Sequence, residues 1–366
     1  MPTTAFAHSV SRMPLRCHGT AASRWTSLIN EAEASLTTSC RERTEMRVGF
    51  IGLGNVAELH ATALREIGDG LFAGGWNRTA AKAEHFCARF GGKVYESVDA
   101  LLDDKSIDAI FVLTGTASHF DFAKRALLAG KHVLLEKPLC ERPEQILELA
   151  QIARNVSRVC MPSHNYVYAE TMRRTRAHID SGKLGDIYNF WAIYNKRHDA
   201  SIGEPDLTMR ELMIHHAYCM LYFIGRPSHV FTTGSNVHFD DPNADDQLMI
   251  TAAYPDGKIA NLWGSFSADD RSREPWSVYF KVIGSEGSSV IPWDVTRFGE
   301  PALPFWDDAT YWDSFLQVQT FFVKNCLGNG EKPLSTLEDA CDAAILLDAA
   351  RQSLRERQAI AVQYVL

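Results

Sequence analysis

The sequence lacks the features of a membrane, secreted or nucleic-acid-binding protein. In its 366 residues, no apolar run approaches the roughly 20 residues of a membrane span. The first 30 residues do not contain the continuous apolar segment of a secretory signal. A net charge of -8 leaves no excess of Lys and Arg for a polyanion. We therefore expect no nucleic-acid and no membrane partner, and a small molecule is the expected ligand.

Clustered metal or disulfide ligands are also missing. The eight cysteines are scattered without any CxxC pair, which predicts a reducing compartment and a cytoplasmic location. The acidic run from Asp240 to Asp246 has no second set of ligands beside it. We interpret this run as a solvated hairpin loop and expect no metal.

Residues 1–45 differ in composition from the rest of the chain. They are rich in Ser, Thr and Ala, contain several Arg, and have no acidic residue before Glu31. This composition is compatible with an organellar transit peptide. The alternative is sequence upstream of a true start at Met46. In both cases we predict a disordered extension outside the fold.

What is present from Met46 onward is an alternation of short apolar runs and helical stretches. This alternation predicts an α/β fold, with a doubly wound parallel sheet of the Rossmann type over residues 46–165. Longer strand-like runs follow, and they predict a second, α+β domain over residues 166–366 with a large, mostly antiparallel open sheet. Its terminal helices could pack back on the first domain. "YPDGK", Tyr254 to Lys258, is typical of a hairpin turn.

A glycine-rich stretch follows the first predicted strand. Gly52, Gly54 and Ala57 give a GxGxxA pattern, with Asn55 and Val56 between them. In a strand–turn–helix setting, the first glycine permits the turn and the second lets a pyrophosphate approach the backbone. The free N–H groups of the helix then face the phosphates. The sequence predicts a dinucleotide site here, although a simple packing turn is the alternative.

The end of the second predicted strand carries no acidic residue to bind a ribose 2′-hydroxyl. Asn77 can hydrogen-bond a ribose, and Arg78 can meet a 2′-phosphate or remain a solvated loop residue. The expected cofactor is therefore NAD or NADP.

Two further segments, "LTGTASH" (Leu113 to His119) and "GKHVLLEKPL" (Gly130 to Leu139), complete a recognisable set. Together with the glycine turn, the chain from about Met46 onward resembles the glucose-fructose oxidoreductase, inositol dehydrogenase and MocA family. The resemblance implies a Rossmann domain followed by an α/β domain with an open sheet. It also implies that Thr114, His119 and Glu136 lie at the cofactor and that Lys137 lies beside nicotinamide and substrate.

The same resemblance implies an aspartate and, one helical turn later, a histidine on a later helix. Here Glu211 and His215 occupy those positions, so the chain departs from the pattern by one methylene. Residues four apart share a helix face, so we expect both side chains to project into the cleft. We expect Lys137, His215 and Glu211 to be catalytic, with His215 taking a proton and Lys137 stabilising an oxyanion. For Glu211 three roles stay open: it orients His215, contacts the substrate or only closes an ion pair.

Substrate contacts are expected from these three residues and from His164, Asn165 and Tyr168, which follow the strand-like run from Val159 to Met161. The predicted function is an NAD(P)-dependent dehydrogenase or reductase of a sugar, polyol or related hydroxylated metabolite. The alternatives are a nucleotide-binding regulator that has lost catalysis, or a reductase of a conjugated C=C or C=N bond. By analogy with such open sheets, we expect a homo-oligomer, either a dimer or a tetramer.

Overall fold

The fold is built on two β-sheets, and the residues that the sequence analysis assigns to the site lie on the loops and helices that follow their strands. The computed structural model describes residues 45–68, 70–267, 276–293 and 309–365. The predicted extension, residues 1–45, therefore lies outside the described residues except for Glu45. Among the described residues, no helix has the length and apolar character needed to span a membrane.

The first sheet is built by the strand–helix alternation. Its elements are β1 (Met46–Ile51), α1 (Asn55–Ile67), β2 (Gly70–Trp76), α2 (Ala80–Phe90), β3 (Lys93–Val94), α3 (Val98–Asp103), β4 (Ala109–Val112), α4 (His119–Leu128), β5 (His132–Leu135), α5 (Pro143–Asn155) and β6 (Cys160–Pro162). All six strands are parallel, in the order β3-β2-β1-β4-β5-β6. Runs such as β4 are apolar throughout because both of their faces are buried. The predicted doubly wound parallel sheet is confirmed.

The topology of this sheet determines where a ligand can bind. The chain adds β2 and β3 on one side of β1 and then crosses back to place β4 on the other side. The carboxyl ends of β1 and β4 therefore border the crevice where doubly wound sheets bind ligands. Gly52 follows β1 and Leu113 follows β4 at that crevice, where Leu113 donates its N–H to the carbonyl of Ile51 (2.8 Å).

The second sheet is longer and mixed. Its elements are α6 (Glu170–Asp180), β7 (Ile187–Lys196), α7 (Ile214–Ile224), β8 (His229–Ser235), β9 (Gln247–Ala253), β10 (Ile259–Ser265), β11 (Trp276–Gly284), β12 (Ser288–Trp293), α8 (Ala309–Thr320), α9 (Leu337–Glu356) and β13 (Ile360–Ala361). The strand order is β12-β11-β7-β10-β9-β8-β13, and β10 is parallel to β7 while the other neighbours are antiparallel. The predicted, mostly antiparallel sheet is confirmed. The predicted turn from Tyr254 to Lys258 joins β9 to β10, with Gly257 at φ 88°.

Helices cover one face of the second sheet. Along β7, Phe190, Ala192 and Tyr194 are buried, and the ring of Phe190 lies 5.9 Å from that of Phe223 on α7. The alternate residue Trp191 is 37% exposed on the open face. The two terminal helices connect the sheets, since α8 packs against α1 and α9 contacts both α5 and α7.

Candidate active site

The turn after β1 contains two glycines, and glycine is required at the two positions for different reasons. Gly52 has φ 95°, and a Cβ at this position would lie 2.7 Å from the carbonyl oxygen of Leu113, so only glycine fits without strain. Gly54 has ordinary extended angles, and a Cβ placed there meets no atom of the described residues within 4 Å. Its missing side chain therefore leaves open space at the start of α1.

That open space fits the phosphates of a dinucleotide. Gly54 is the N-cap of α1 and provides no side-chain cap, so the first N–H groups of the helix remain available to an anion. Asn55 and Val56 line the space, whereas Ala57 is fully buried and allows the helix to pack closely on the sheet. The residues present suit a nicotinamide dinucleotide bound with its pyrophosphate at Gly54.

The end of β2 braces the turn. Asn77 accepts the backbone N–H of Leu53 through Oδ1 (3.2 Å) and donates from Nδ2 to the carbonyl of Thr79 (3.1 Å). Its amide is thus already engaged by the protein. Arg78 is exposed at the same edge and lines the same space, and it forms no ion pair with any of the described residues.

The loops after β4 and β5 are joined by a buried histidine. Thr114 contacts Ser118 through their hydroxyl groups (2.8 Å) and lines the space. His119 is 1% exposed, and its ring nitrogens lie 2.7 Å from the carbonyl of Thr114 and 2.9 Å from that of Pro138. His119 therefore lies beneath the two loops and is not among the residues that line the space. We had predicted that His119 contacts the cofactor.

Glu136 is the centre of a buried bridge that the sequence analysis missed. Its Oε1 lies 3.1 Å from His60 Nε2, and Gln319 Nε2 lies 3.0 Å from His60 Nδ1. Burial raises the pKa of Glu136, but the hydrogen bond and charge of His60 and the charge of Lys137 outweigh burial and lower it. The Glu136 carboxylate also accepts the backbone N–H of Lys137 (2.9 Å). The bridge fixes the backbone from which Lys137 projects, and the bond from Lys137 to Pro138 is cis.

The side chains of Lys137, which follows β5, and Glu211, which precedes α7, are in direct contact. Lys137 Nζ donates to Glu211 Oε2 at 2.9 Å, and Arg210 Nε donates to the other carboxylate oxygen at 3.2 Å. Burial raises the pKa of Glu211, but Lys137 and then Arg210 outweigh burial and lower the pKa below its usual range. Glu211 is therefore an anion at neutral pH that orients the Lys137 ammonium.

His215 is placed differently from Glu211. We expected the two side chains to project together, but residues Met209–Met213 form a π-helical turn before α7. Hydrogen bonds in such a turn run from i to i+5, which puts more residues into each turn than an α-helix has, so the helix register changes between Glu211 and His215. Glu211 is among the residues that line the space, whereas His215 is not and is 4% exposed.

The surroundings of His215 keep its imidazole neutral. Its Nδ1 lies 2.6 Å from Tyr218 Oη, and its ring stacks on Tyr166 with centroids 4.3 Å apart. Burial, followed by the positive charge of Lys137, lowers the pKa of His215 well below its usual value. Among the described residues, no group hydrogen-bonds its Nε2. The neighbouring His216 donates from Nε2 to the Trp263 carbonyl (2.9 Å) and is a packing residue.

Of the three residues predicted after β6, two line the space. His164 is fully buried, with Nδ1 2.7 Å from Ser335 Oγ and with no partner for Nε2 among the described residues, and burial lowers its pKa to about 3. Asn165 Nδ2 donates to Ser314 Oγ at 2.7 Å. Tyr168 is 1% exposed, accepts the backbone N–H of Ser335 at its hydroxyl oxygen (3.4 Å) and is not among the lining residues. Its position therefore differs from the substrate contact that we predicted.

These residues surround one cavity of about 1470 Å³ that extends from the glycine turn to the Lys137–Glu211 pair. Single small-molecule sites usually measure about 300–1,000 Å³, so a dinucleotide and a second small molecule can share it. The α9 helix contributes Asp348 and Arg351 to its wall, which sequence reasoning did not predict. Among the described residues, no cluster of His, Cys, Asp or Glu is suited to hold a metal.

Comparison with known families agrees with this geometry. A model described as an oxidoreductase family with an NAD-binding Rossmann fold matches residues 46–164, so the protein is an NAD(P)-binding oxidoreductase. A model of the GFO/IDH/MocA C-terminal domain matches residues 172–290. The chain therefore belongs to the Gfo/Idh/MocA family.

Several characterised relatives share part of the chain. A dTDP-3,4-didehydro-2,6-dideoxy-alpha-D-glucose 3-reductase of Actinomadura kijaniata is 33% identical over 41% of this chain and 45% of its own length. A glucose-6-phosphate 3-dehydrogenase of Bacillus subtilis is 30% identical over 45% of this chain and 46% of its own length. The matched segment thus spans about half of each relative. A myo-inositol 2-dehydrogenase of Thermotoga maritima is 22% identical over 88% of this chain and 100% of its own length.

Two solved structures share the fold. Levoglucosan dehydrogenase in complex with NADH and L-sorbose has a TM-score of 0.76 and 18% identity, covering 88% of this chain and 100% of that one. GenD2 from gentamicin A biosynthesis, in complex with NAD, has a TM-score of 0.74 and 20% identity, covering 88% of this chain and 98% of that one.

Proposed function

We propose that this oxidoreductase transfers hydride between NAD(P) and a CH–OH group of a sugar, polyol or related hydroxylated metabolite. One observation carries the proposal: Lys137 Nζ and Glu211 Oε2, 2.9 Å apart, lie in the same cavity as the glycine turn. The relatives named as 3-reductase, 3-dehydrogenase and inositol 2-dehydrogenase support the substrate class.

Each polar residue then has a defined task. A bound nicotinamide supplies the site that accepts or gives the hydride. Lys137 donates a hydrogen bond from Nζ to the substrate oxygen and stabilises the negative charge that develops there. Glu211 holds that ammonium in position. His215, a neutral imidazole with Nε2 unpartnered among the described residues, takes the hydroxyl proton during oxidation.

The cofactor preference follows from the end of β2. No carboxylate stands there to bind a 2′-hydroxyl or repel a 2′-phosphate, and Arg78 is exposed beside the cavity. We propose that the chain accepts NADP as well as NAD. Titrations with NADH and NADPH, followed by nicotinamide fluorescence, measure the two dissociation constants.

The test of this function combines a substrate screen with one variant. Purified protein is assayed for nicotinamide absorbance changes with sugars, polyols and their oxidised forms. We expect Lys137→Ala to remove most turnover while the affinity for NADH stays within about twofold, because Lys137 acts on the substrate oxygen. Lys124→Ala is the matched control, since Lys124 pairs with Glu148 on the exposed surface (2.7 Å). Unchanged turnover in Lys137→Ala would exclude the assigned role.

The open face of the second sheet supports a further proposal, a homo-oligomer. Large apolar side chains on this face remain accessible, with Trp191 37%, Phe231 41%, Ile259 44% and Val290 49% exposed. Several exposed apolar side chains on one face of a sheet are typical of a protein–protein interface. We propose that a second copy of this chain covers it.

A further inference from the structure

A chain of buried hydrogen bonds runs through the lining residue Asn165 and has a fixed direction. Ser314 Oγ lies 2.6 Å from the carbonyl oxygen of Tyr311 and 2.7 Å from the amide nitrogen of Asn165. The carbonyl can only accept, so Ser314 uses its single proton there. Ser314 Oγ must then accept from Asn165, which fixes the orientation of the Asn165 amide.

The same direction continues to Tyr218. With its nitrogen facing Ser314, Asn165 presents Oδ1 to Tyr218 Oη at 3.4 Å. An amide oxygen only accepts, so the Tyr218 hydroxyl donates its one proton to Asn165. The Tyr218 oxygen also accepts the backbone N–H of Tyr166 (3.5 Å). Its remaining lone pair faces His215 Nδ1 at 2.6 Å.

We infer that Tyr218, Asn165 and Ser314 hold His215 in the tautomer with its proton on Nδ1, which leaves the Nε2 lone pair free to act as the base. The role as a base rests on the proposed function, whereas the tautomer does not. The tautomer of a histidine is set by the hydrogen bond that its other nitrogen makes. Tyr166 stacks on the ring at an interplanar angle of 18° and fixes its plane.

The opposite arrangement leaves a polar atom unsatisfied. If Tyr218 donated to His215, Asn165 Oδ1 would have no donor among the described residues, although Asn165 is only 3% exposed. Buried hydrogen-bond acceptors without a donor are rare, because no protein hydrogen bond then offsets the free-energy cost of removing the acceptor from water. Tyr218, Asn165 and Ser314 are therefore positioning residues that act on the reaction through His215.

Nuclear magnetic resonance of protein labelled with ¹⁵N-histidine reads the tautomer directly. The His215 signals are assigned by their loss in His215→Gln, with the protein otherwise intact. We expect the Nδ1–H tautomer in the wild type. In Asn165→Leu the Tyr218 hydroxyl loses its acceptor and turns to His215, so we expect a switch to Nε2–H. An Nε2–H tautomer in the wild type, or no switch in Asn165→Leu, would overturn the inference.

Kinetics test the consequence with an isosteric variant. General base catalysis contributes about 10²–10⁴-fold, so we expect Tyr218→Phe to lower kcat by about 10- to 100-fold or more, with KM and the NADH dissociation constant nearly unchanged. Tyr222→Phe, one turn farther along α7 and outside the network, should keep the wild-type kcat. Equal kcat in the two variants would contradict the positioning role. Because the tautomer is measured without substrate, a failed sugar screen leaves the spectroscopic result intact.

Discussion

Substitution of the two glycines of the turn should separate cofactor binding from stability. Gly54 has φ -95° and ψ -166°, angles open to every L-residue, and its Cβ would meet no atom within 4 Å. Gly54→Val should therefore fold, at a cost of about 1 kcal/mol or less for the poorer N-cap. Its side chain would occupy the space in front of the α1 N–H groups, where we place the pyrophosphate.

The expected loss of affinity follows from the hydrogen bonds that valine blocks. Two charge-assisted bonds at about 1.5–3 kcal/mol each correspond to a dissociation constant at least about 100-fold weaker. Nicotinamide fluorescence titration measures this change, and a thermal melt measures stability. Normal NADH binding by folded Gly54→Val would refute our placement of the pyrophosphate.

Gly52→Ala is the matched comparison and should behave in the opposite way. At φ 95° and with its Cβ 2.7 Å from the Leu113 carbonyl, an alanine is strained by about 1–3 kcal/mol. Each kcal/mol lowers the melting temperature by about 2–4 °C in a protein of this size class. A melting temperature for Gly52→Ala equal to that of Gly54→Val would show that the turn geometry is wrong.

Three further predictions follow from the site and the surface. Glu211→Asp shortens the side chain by about 1.5 Å, which breaks the 2.9 Å contact with Lys137. A misplacement of this size should lower kcat about 10- to 100-fold. An unchanged kcat would argue against orientation of Lys137 by Glu211. Burial lowers the pKa values of His164 and His216 to about 3 and about 4, so between those values and about pH 6.5 the unfolded chain binds more protons than the folded chain. The free energy of unfolding therefore falls as pH falls, by up to about 1.4 kcal/mol per pH unit for each histidine. Urea unfolding at pH 7 and pH 5 measures this difference, and equal stability at the two pH values would contradict it. Trp191→Arg should lower the mass measured by light scattering if a second copy covers the open sheet, whereas an unchanged mass would place the interface elsewhere.

The fold was predictable because its patterns are local. The apolar runs that form β1, β4, β5 and β6 are largely buried, and the hairpin between β9 and β10 is encoded by five consecutive residues. Lys137 was also predictable, because a strand end between Glu136 and Pro138 is an unusual place for a surface lysine. These predictions depend on neighbours in sequence and not on contacts between distant segments.

The details of the site depend on such distant contacts. Glu211 reaches Lys137 from 74 residues away, and the π-helical turn that separates Glu211 from His215 has no signature in the spacing that we used. Gln319 reaches His60 across 259 residues. From the sequence, the available indication of this bridge was that a histidine on α1, His60, and a glutamate at the end of β5, Glu136, both follow strands of the same sheet.

The most direct test of the central claim is an experimental structure of the protein with reduced nicotinamide dinucleotide. We predict that the pyrophosphate contacts the α1 N-terminus at Gly54 and that the nicotinamide ring lies in the cavity beside Lys137 Nζ. A dinucleotide bound elsewhere, or a ring turned away from Lys137, would contradict the account.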